Sequence, residues 1–559
     1  PGAHTSVRWV HAARPDISAS LALAQRWLKQ NWDAHFKRIA RAAAFIPAIE
    51  TGDRERDAAI AFAYQQLVQS FLKPTASLPA ASFVAARTPA TGFSPNGSGT
   101  DHIRSWSGQD PTGAYLTALA VASIAPQWAA GVIDNYLSAQ TEDGWIDWKP
   151  GLAGQRQGIL APPILARLAW GVFHYTEDTE TLRTQFPALL RFFERWLKPD
   201  LDVDADGLPE WQSENQTGYP FMPSFAVGLP YGQHADIRMV EAPDLAAYLL
   251  SEAISLREIA YYLRDSEAET RLAERVESLK AALESLWRAD AGHYGYRDRD
   301  SHLTQPGTIL LAAAPGDQEH FLAAALPSPA RLIIEISGGA EHVPSITLDV
   351  HGVDADGQPL HETARAEAFF WSHGRGVYTT RKLFAQVDRV RVDGLVRVYQ
   401  VAVRTLDASA LDLSAVLPIW SVGITPERAA ELVRLITDPA VFWRANGISM
   451  IPAPAGAALS EGGADVGGVH PFWLTLIGEG LLEHGYGDAA AELVKRLIKA
   501  QIAVLKAQGS FYEFYDAETA RGLGERGHIS GLVPLHLLAR VIGVRVISTG
   551  KVWTGGPFH

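Results

Sequence analysis

Four loops of this 559-residue chain set carboxylates among aromatic rings. An acid in apolar surroundings has a displaced pKa, which proton transfer exploits. A ring face beside it can grip the flat apolar side of a polyhydroxylated ligand. The clearest such loop is Phe511-Tyr-Glu-Phe-Tyr-Asp516, followed by Glu518-Thr-Ala-Arg-Gly-Leu-Gly524. Strand alternation would put Tyr512 and Phe514 on one face and Glu513 with Tyr515 on the other. The plain alternative is an edge strand with an exposed Glu513. Arg104-Ser-Trp-Ser-Gly-Gln-Asp110 offers a cation, an indole and an acceptor together, so Arg104, Trp106 and Asp110 are binding candidates. The competing reading has Asp110 capping a helix that begins at Pro111. Gly144-Trp-Ile-Asp-Trp148 brings Trp145 and Trp148 into a third loop, unless they merely cover the core.

The fourth loop is Asp202-Val-Asp-Ala-Asp-Gly-Leu-Pro-Glu-Trp-Gln-Ser-Glu214, then Asn215-Gln-Thr-Gly-Tyr-Pro220. Asp-x-Asp-x-Asp-Gly imitates the first half of a calcium loop. That loop needs a bidentate Glu at position twelve, where Ser213 stands, with Glu214 one step late. The stretch therefore reads as a rigid turn presenting Glu210 and Glu214, with Gln216 and Tyr219 as contacts beyond it. No metal or other cofactor is expected.

Composition narrows the classes. With no cysteine, disulfides, thiolate metal sites and cysteine nucleophiles are excluded, and either redox compartment is compatible. A formal net charge of −13 disfavours a nucleic-acid partner, which needs a basic surface. No apolar stretch is long enough to span a membrane. The chain begins at Pro1 without an initiator methionine, which reads as a processed or trimmed product.

The elements that must position these loops are mostly helices. Apolar spacing predicts them near 17–47, 55–73, 112–124, 126–139, 158–176, 179–197, 241–264, 266–288, 425–437, 469–485, 487–506 and 530–541. Between about 303 and 410 the period changes to two, in RLIIEIS (331–337), SITLDVHGV (345–353), QVDRVRVDG (386–394) and VRVYQVAVRTL (396–406). Such runs predict a small antiparallel sandwich. Twelve helices in short-turn pairs predict an (α/α)6 toroid whose loops converge on one mouth. The expected division is an extension over 1–16, a first helical part over 17–302, a β insert over 303–410 and a second helical part over 411–559. Within the insert, Trp371-Ser-His-Gly-Arg375 is a candidate tip. Tyr296-Arg-Asp-Arg-Asp-Ser-His302, just before it, reads as an ion-pair cluster.

In this order the stretches resemble the catalytic domains of glycoside hydrolase family 63 and its trehalase relatives, across roughly 17–300 and 411–545. Gln157–Trp170 resembles the family helix that runs past the pocket, Asp204-Ala-Asp-Gly-Leu-Pro-Glu-Trp211 its Asp-Gly-Leu-Pro loop, and Glu241–Leu249 the helix after its general acid. Gly467-Gly-Val-His-Pro471 with Glu479–Leu482 matches a Gly-Pro-Val-Trp-Pro stretch and its helix, and Phe511–Asp516 matches the segment of the general base. The resemblance implies an inverting glycosidase acting on an α-linked gluco-configured oligosaccharide or glycoside. One carboxylic acid would protonate the leaving oxygen, and a second carboxylate about 6.5–9.5 Å away would activate water. Glu513 takes the base role by direct match, with Tyr512 beside it. Trp106 and Asp110 match the family's sugar-holding pair loosely. The acid departs: Thr217-Gly-Tyr-Pro220 puts proline where the family has Asp, so Glu214 and then Glu210 are its replacements. Asp465-Val466 stands where Trp-Arg is expected, and His470 where a Trp is. Two other classes stay open. One is an epimerase or lyase using His234, His470 or His528 or a Tyr, and the other is a non-catalytic carbohydrate-binding protein.

Overall fold

The computed structural model describes residues 7–44, 46–86, 108–219, 222–225, 232–338, 343–372, 374–452, 467–548 and 551–555. Arg104, Trp106, Pro220, Asp465 and Val466 lie outside the described residues. The chain divides into two compact units, Pro1–Glu50 and Thr51–His559. In the first, α1 (Ile17–Leu28) starts where the Asp16 side chain accepts the Ala19 N–H, and α2 (Trp32–Ala44) follows a short break. The helix expected over 17–47 is thus two helices, and both belong to the smaller unit rather than to the helical body.

In the second unit Asp, Thr and Pro start the helices. Asp53 caps α3 (Arg54–Ser70) and Asp110 caps α4 (Pro111–Val121), while Pro126 opens α5 (Pro126–Ser138). The chain continues through α6 (Leu165–Thr176), α7 (Thr179–Trp196), α8 (Pro243–Leu263) and α9 (Ser266–Ser285). After the insert come α10 (Pro426–Ile436), α11 (Pro471–Glu483), α12 (Gly487–Gln508) and α13 (Leu535–Val541). Helices α4, α8 and α11 are buried on nearly every face, which marks interior helices. Each interior element packs on the next, α4 on α6, α6 on α8, α11 on α13 and α13 on α4.

The gap between α8 and α11 is filled by two buried 3₁₀ turns, Leu413–Ala415 and Leu417–Trp420, which pack on both neighbours and close the ring. Six interior rungs inside six outer helices make the (α/α)6 toroid. Counting on sequence reached twelve by including 17–47 and missed this rung. Pro418 explains why: it removes an N–H and clashes with the preceding turn, so no helical period develops there.

Buried carboxylates tie the rungs together. Glu479 of α11 accepts the Tyr115 hydroxyl at 2.7 Å and the Trp420 indole at 3.0 Å, joining three rungs. Helix α6 has no side-chain cap of its own. Glu252 of α8 supplies one, accepting the Ala166 and Arg167 N–H groups at 2.9 and 2.7 Å. Burial nonetheless pushes the Glu252 carboxyl up to about 7, against the pull of those two amides. A raised folded-state pKa means that the folded chain holds a proton that the unfolded chain releases near pH 4.5. Stability from this group is therefore full below that pH and is lost as pH rises towards 7. Relative to wild type, Glu252→Gln is expected to gain stability between about pH 4.5 and 7 and to level off above, by on the order of 3 kcal/mol. Paired thermal melts across about pH 4–8 check this, and a gap that moves in favour of wild type would contradict it.

The β insert is a sandwich. One sheet holds β2 (His320–Ala330), β4 (Thr347–Val353), β5 (Pro359–Arg365) and β8 (Phe384–Asp393) in the order β5-β4-β8-β2. The other holds β1 (Ile309–Pro315), β3 (Leu332–Ser337), β6 (Phe370–Ser372), β7 (Arg375–Thr379) and β9 (Gln400–Thr405) in the order β6-β7-β3-β9-β1. Alternate residues such as Ile334, Ile336, Val350, Val390 and Val401 face each other in one apolar core. The β6–β7 corner does not hang free. Arg375 pairs with Glu335 and donates to the Gly232 carbonyl, and Thr379 accepts the Asp236 N–H.

Candidate active site

Glu513 sits in a hairpin of β10 (Tyr512–Tyr515) and β11 (Gly522–Arg526). Tyr512 faces Arg526 and Phe514 faces Leu523, so Gly524 and Glu525 together oppose Glu513. This bulge re-aims side chains, and the simple alternation fails: Tyr512 and Glu513 are half-buried while Phe514 and Tyr515 are buried. Gly524 has a φ of +69°, and a Cβ there would lie 2.6 Å from Glu513 Oε2. The freed Glu525 N–H donates to Glu513 Oε2 at 3.0 Å. Among the described residues no hydrogen bond engages Oε1. One oxygen is thus fixed and the other is unbonded among the described residues. Gly524→Ala is expected to push the carboxylate aside and lower kcat, by up to about 10²-fold for a shift near 1 Å. Steady-state kinetics check it, and unchanged kcat would show that the bulge does not position Glu513.

Several loops meet this hairpin at one end of the ring. The His470 ring, at the start of α11, stacks on Phe514 at 4.3 Å and 10°. Tyr219 stands edge-on to His470 and to Trp473. Trp473 donates to the Gly218 carbonyl at 3.3 Å. Gly108 pairs with Gly151 and so draws the 144–151 loop alongside. Burial lowers the pKa of the Lys149 amine, against the opposing pull of the nearby Asp110 and Glu525 charges. The starts of α4 and α11, Gly218–Tyr219 and the Glu513 hairpin are therefore neighbours.

Asp110 is a helix cap in fact, its Oδ1 accepting the Thr112 hydroxyl at 2.6 Å and the Gly113 N–H at 2.7 Å, and it stays partly exposed. Trp145 is half-buried under the Arg195 guanidinium, and Trp148 is half-buried in the loop that Asp147 ties through Lys149 and Gly158. Gln216 is fully buried and spent on structure: its carbonyl accepts the Gln212 and Ser213 N–H groups, and its amide donates to the Leu160 carbonyl. Tyr219 is buried, with its hydroxyl 3.4 Å from the Met450 carbonyl.

The two acid candidates differ sharply. Glu210 is fully buried beside Asp202 and Asp204, and burial pushes its carboxyl up to about 8. It is closed to solvent, whereas Glu214 borders a cavity. Glu214 begins a 3₁₀ turn, Glu214–Thr217, capped by Ser213. It is half-buried, its pKa is raised by burial and by the nearby Asp236, and it lines a cavity of about 340 Å³ with Gln212, His234, Asp236 and Tyr378. The three histidines do not gather: His234 lies under the insert beside Arg375, whereas His470 and His528 flank the hairpin. Sequence reading missed Lys149, Gly524 and Glu525. The Gly522-x-Gly524 pair was the one signal for the bulge.

Residues 108–318 match the family model described as mannosylglycerate hydrolase MGH1-like glycoside hydrolase domain. That span holds Asp110, Glu210 and Glu214 and ends before Glu513. No curated protein matches the chain in sequence. Among solved structures it is similar to a GH63 mannosylglycerate hydrolase from Thermus thermophilus in complex with glucose, at 16% identity and TM-score 0.53, over 86% of this chain and 99% of that one. The same enzyme in complex with Tris and D-glycerate aligns at 15% identity and TM-score 0.51, with 86% and 99% covered. A sialidase aligns at 12% identity and TM-score 0.55, over 89% of this chain and 35% of that one. Residues 108–318 are thus similar to an MGH1-like glycoside hydrolase domain, the chain has the (α/α)6 fold, and it is a glycosidase.

Proposed function

We propose that the chain hydrolyses an α-linked gluco-configured glycoside with inversion, Glu513 acting as general base and Glu214 as general acid. The observation that carries this reading is the Glu513 bulge, which fixes one carboxylate oxygen and leaves the other unbonded, among the described residues, where several loops meet. A base must stand close to its water, and the amide bond from Glu525 holds one oxygen of Glu513 in place while the other stays open. An acid must be protonated, and burial beside Asp236 raises Glu214 in that direction. The Glu214–Thr217 turn runs through Tyr219 to His470 and Phe514, so one chain of contacts joins the two carboxylates' supports. The matched domain and its hydroxy-acid-bound structural relative favour a small glycoside, with a sugar or a hydroxy acid as aglycone. A panel of α- and β-glycosides, including glycosides of hydroxy acids, tests it. Turnover of α-glucosides ahead of their β-anomers is expected, and sugar binding without release of any aglycone would favour a non-catalytic binder instead.

A further inference from the structure

The outer face of one sandwich sheet carries a histidine pair that the proposed chemistry does not use. Val350 of β4 points into the apolar core, so alternation turns Asp349 and His351 outward together. The antiparallel register sets His351 directly opposite His361 of β5. A short turn between the strands fixes that register: Asp354 accepts the Asp356 and Gln358 N–H groups, and Gly357 takes a φ of +74°. The two imidazole rings stack with centroids 4.1 Å apart and planes at 15°. Asp349 Oδ1 lies 2.9 Å from His361 Nε2. One ligand atom from each of the three residues lies within 4.8 Å of the other two.

We propose that Asp349, His351 and His361 form a surface site for a divalent ion of the zinc class, which clips the edge strand β5 to β4. Two imidazoles and a carboxylate suit zinc, copper or nickel, whereas calcium and magnesium want oxygen ligands. Ligand atoms around a tetrahedral zinc stand about 3.3 Å apart. His361 and His351 are exposed and half-exposed, so small side-chain rotations bring the three atoms to that spacing. Three protein ligands leave a fourth position to water.

The protons are placed for it. A guanidinium can only donate, and that of Arg389 on β8 lies 3.3 Å from His351 Nε2, so this nitrogen carries a lone pair. Burial, together with the His361 and Arg389 charges, lowers the His351 pKa and keeps its ring neutral at neutral pH. A carboxylate can only accept, so His361 Nε2 donates to Asp349, and the metal takes the place of that proton. The guanidiniums on this face have carboxylates of their own. Arg389 is paired with Glu319 at 2.9 Å and Arg391 with Asp393 at 2.6 Å.

The test needs no substrate and stands apart from the assignment of Glu513 and Glu214. Full-length chain, stripped with chelator and dialysed, is titrated calorimetrically with zinc chloride. Saturable binding is expected in wild type, and excess calcium chloride should not compete. His351→Ala, His361→Ala and Asp349→Asn should each weaken zinc binding by at least about tenfold. All three substitutions lie on the solvent side of the sheet, and if one variant fails to fold the other two decide. His302→Ala, which removes the histidine beside Asp204 and Asp206, should leave zinc affinity unchanged. Absence of saturable heat in wild type, unchanged affinity in the folded His351 and His361 variants, or loss of binding on His302→Ala instead would overturn the proposal.

Discussion

Glu513→Gln is expected to lower kcat by about 10²- to 10⁴-fold with little change in KM, the range that a positioned general base contributes. Gln keeps the size of Glu and can still accept the Glu525 N–H, so the hairpin and its bulge persist and the loss isolates proton abstraction from water. Sugar binding is expected to survive, because the substitution leaves the surrounding side chains in place. A small nucleophile such as azide should restore turnover in the variant if the carboxylate acts on water. A rise in KM with kcat largely kept, and no rescue, would assign Glu513 to substrate positioning.

Glu214→Gln carries the second large effect, and its signature depends on the leaving group. Glycosides with poor leaving groups need protonation and should lose about 10²- to 10⁴-fold in kcat/KM. Glycosyl fluorides leave unaided and should lose far less. The pH profile supplies a second readout. An acid works while protonated, so activity falls as pH rises through its pKa, and burial moves that limb to higher pH in the wild type. The variant should lack the alkaline limb. Equal losses on both substrate kinds would remove Glu214 from the acid role.

Much of this architecture could be read from the chain because its signals are local. Pro and Asp mark the starts of α4, α5, α8 and α11, and period two marks the sandwich strands, so fold class followed from spacing. The 413–420 rung escaped because it is interior without being helical, and only its neighbours α8 and α11 reveal its place. The aromatic setting that singles out Glu513 is legible in the sequence, with Phe514 and Tyr515 buried beside it. The bulge was not, since it arises from pairing with β11 rather than from the β10 residues. Gln216 shows the opposite failure. Its type suits sugar hydroxyls, but three long-range and turn bonds consume its amide, and no sequence pattern announces them. Glu241 meets Asp204 and Asp206 only in space, and no local pattern announces it. The charged run before the insert did read correctly, with Arg297, Arg299 and His302 all in ion pairs.

The configuration of the sugar first released tests the two-carboxylate account most directly. With the best α-glycoside of the panel, proton NMR in the first minutes should show the β-anomer appearing ahead of mutarotation, because water enters opposite the departing oxygen. Initial release of the α-anomer would mean a covalent glycosyl intermediate and would contradict the roles given to Glu513 and Glu214.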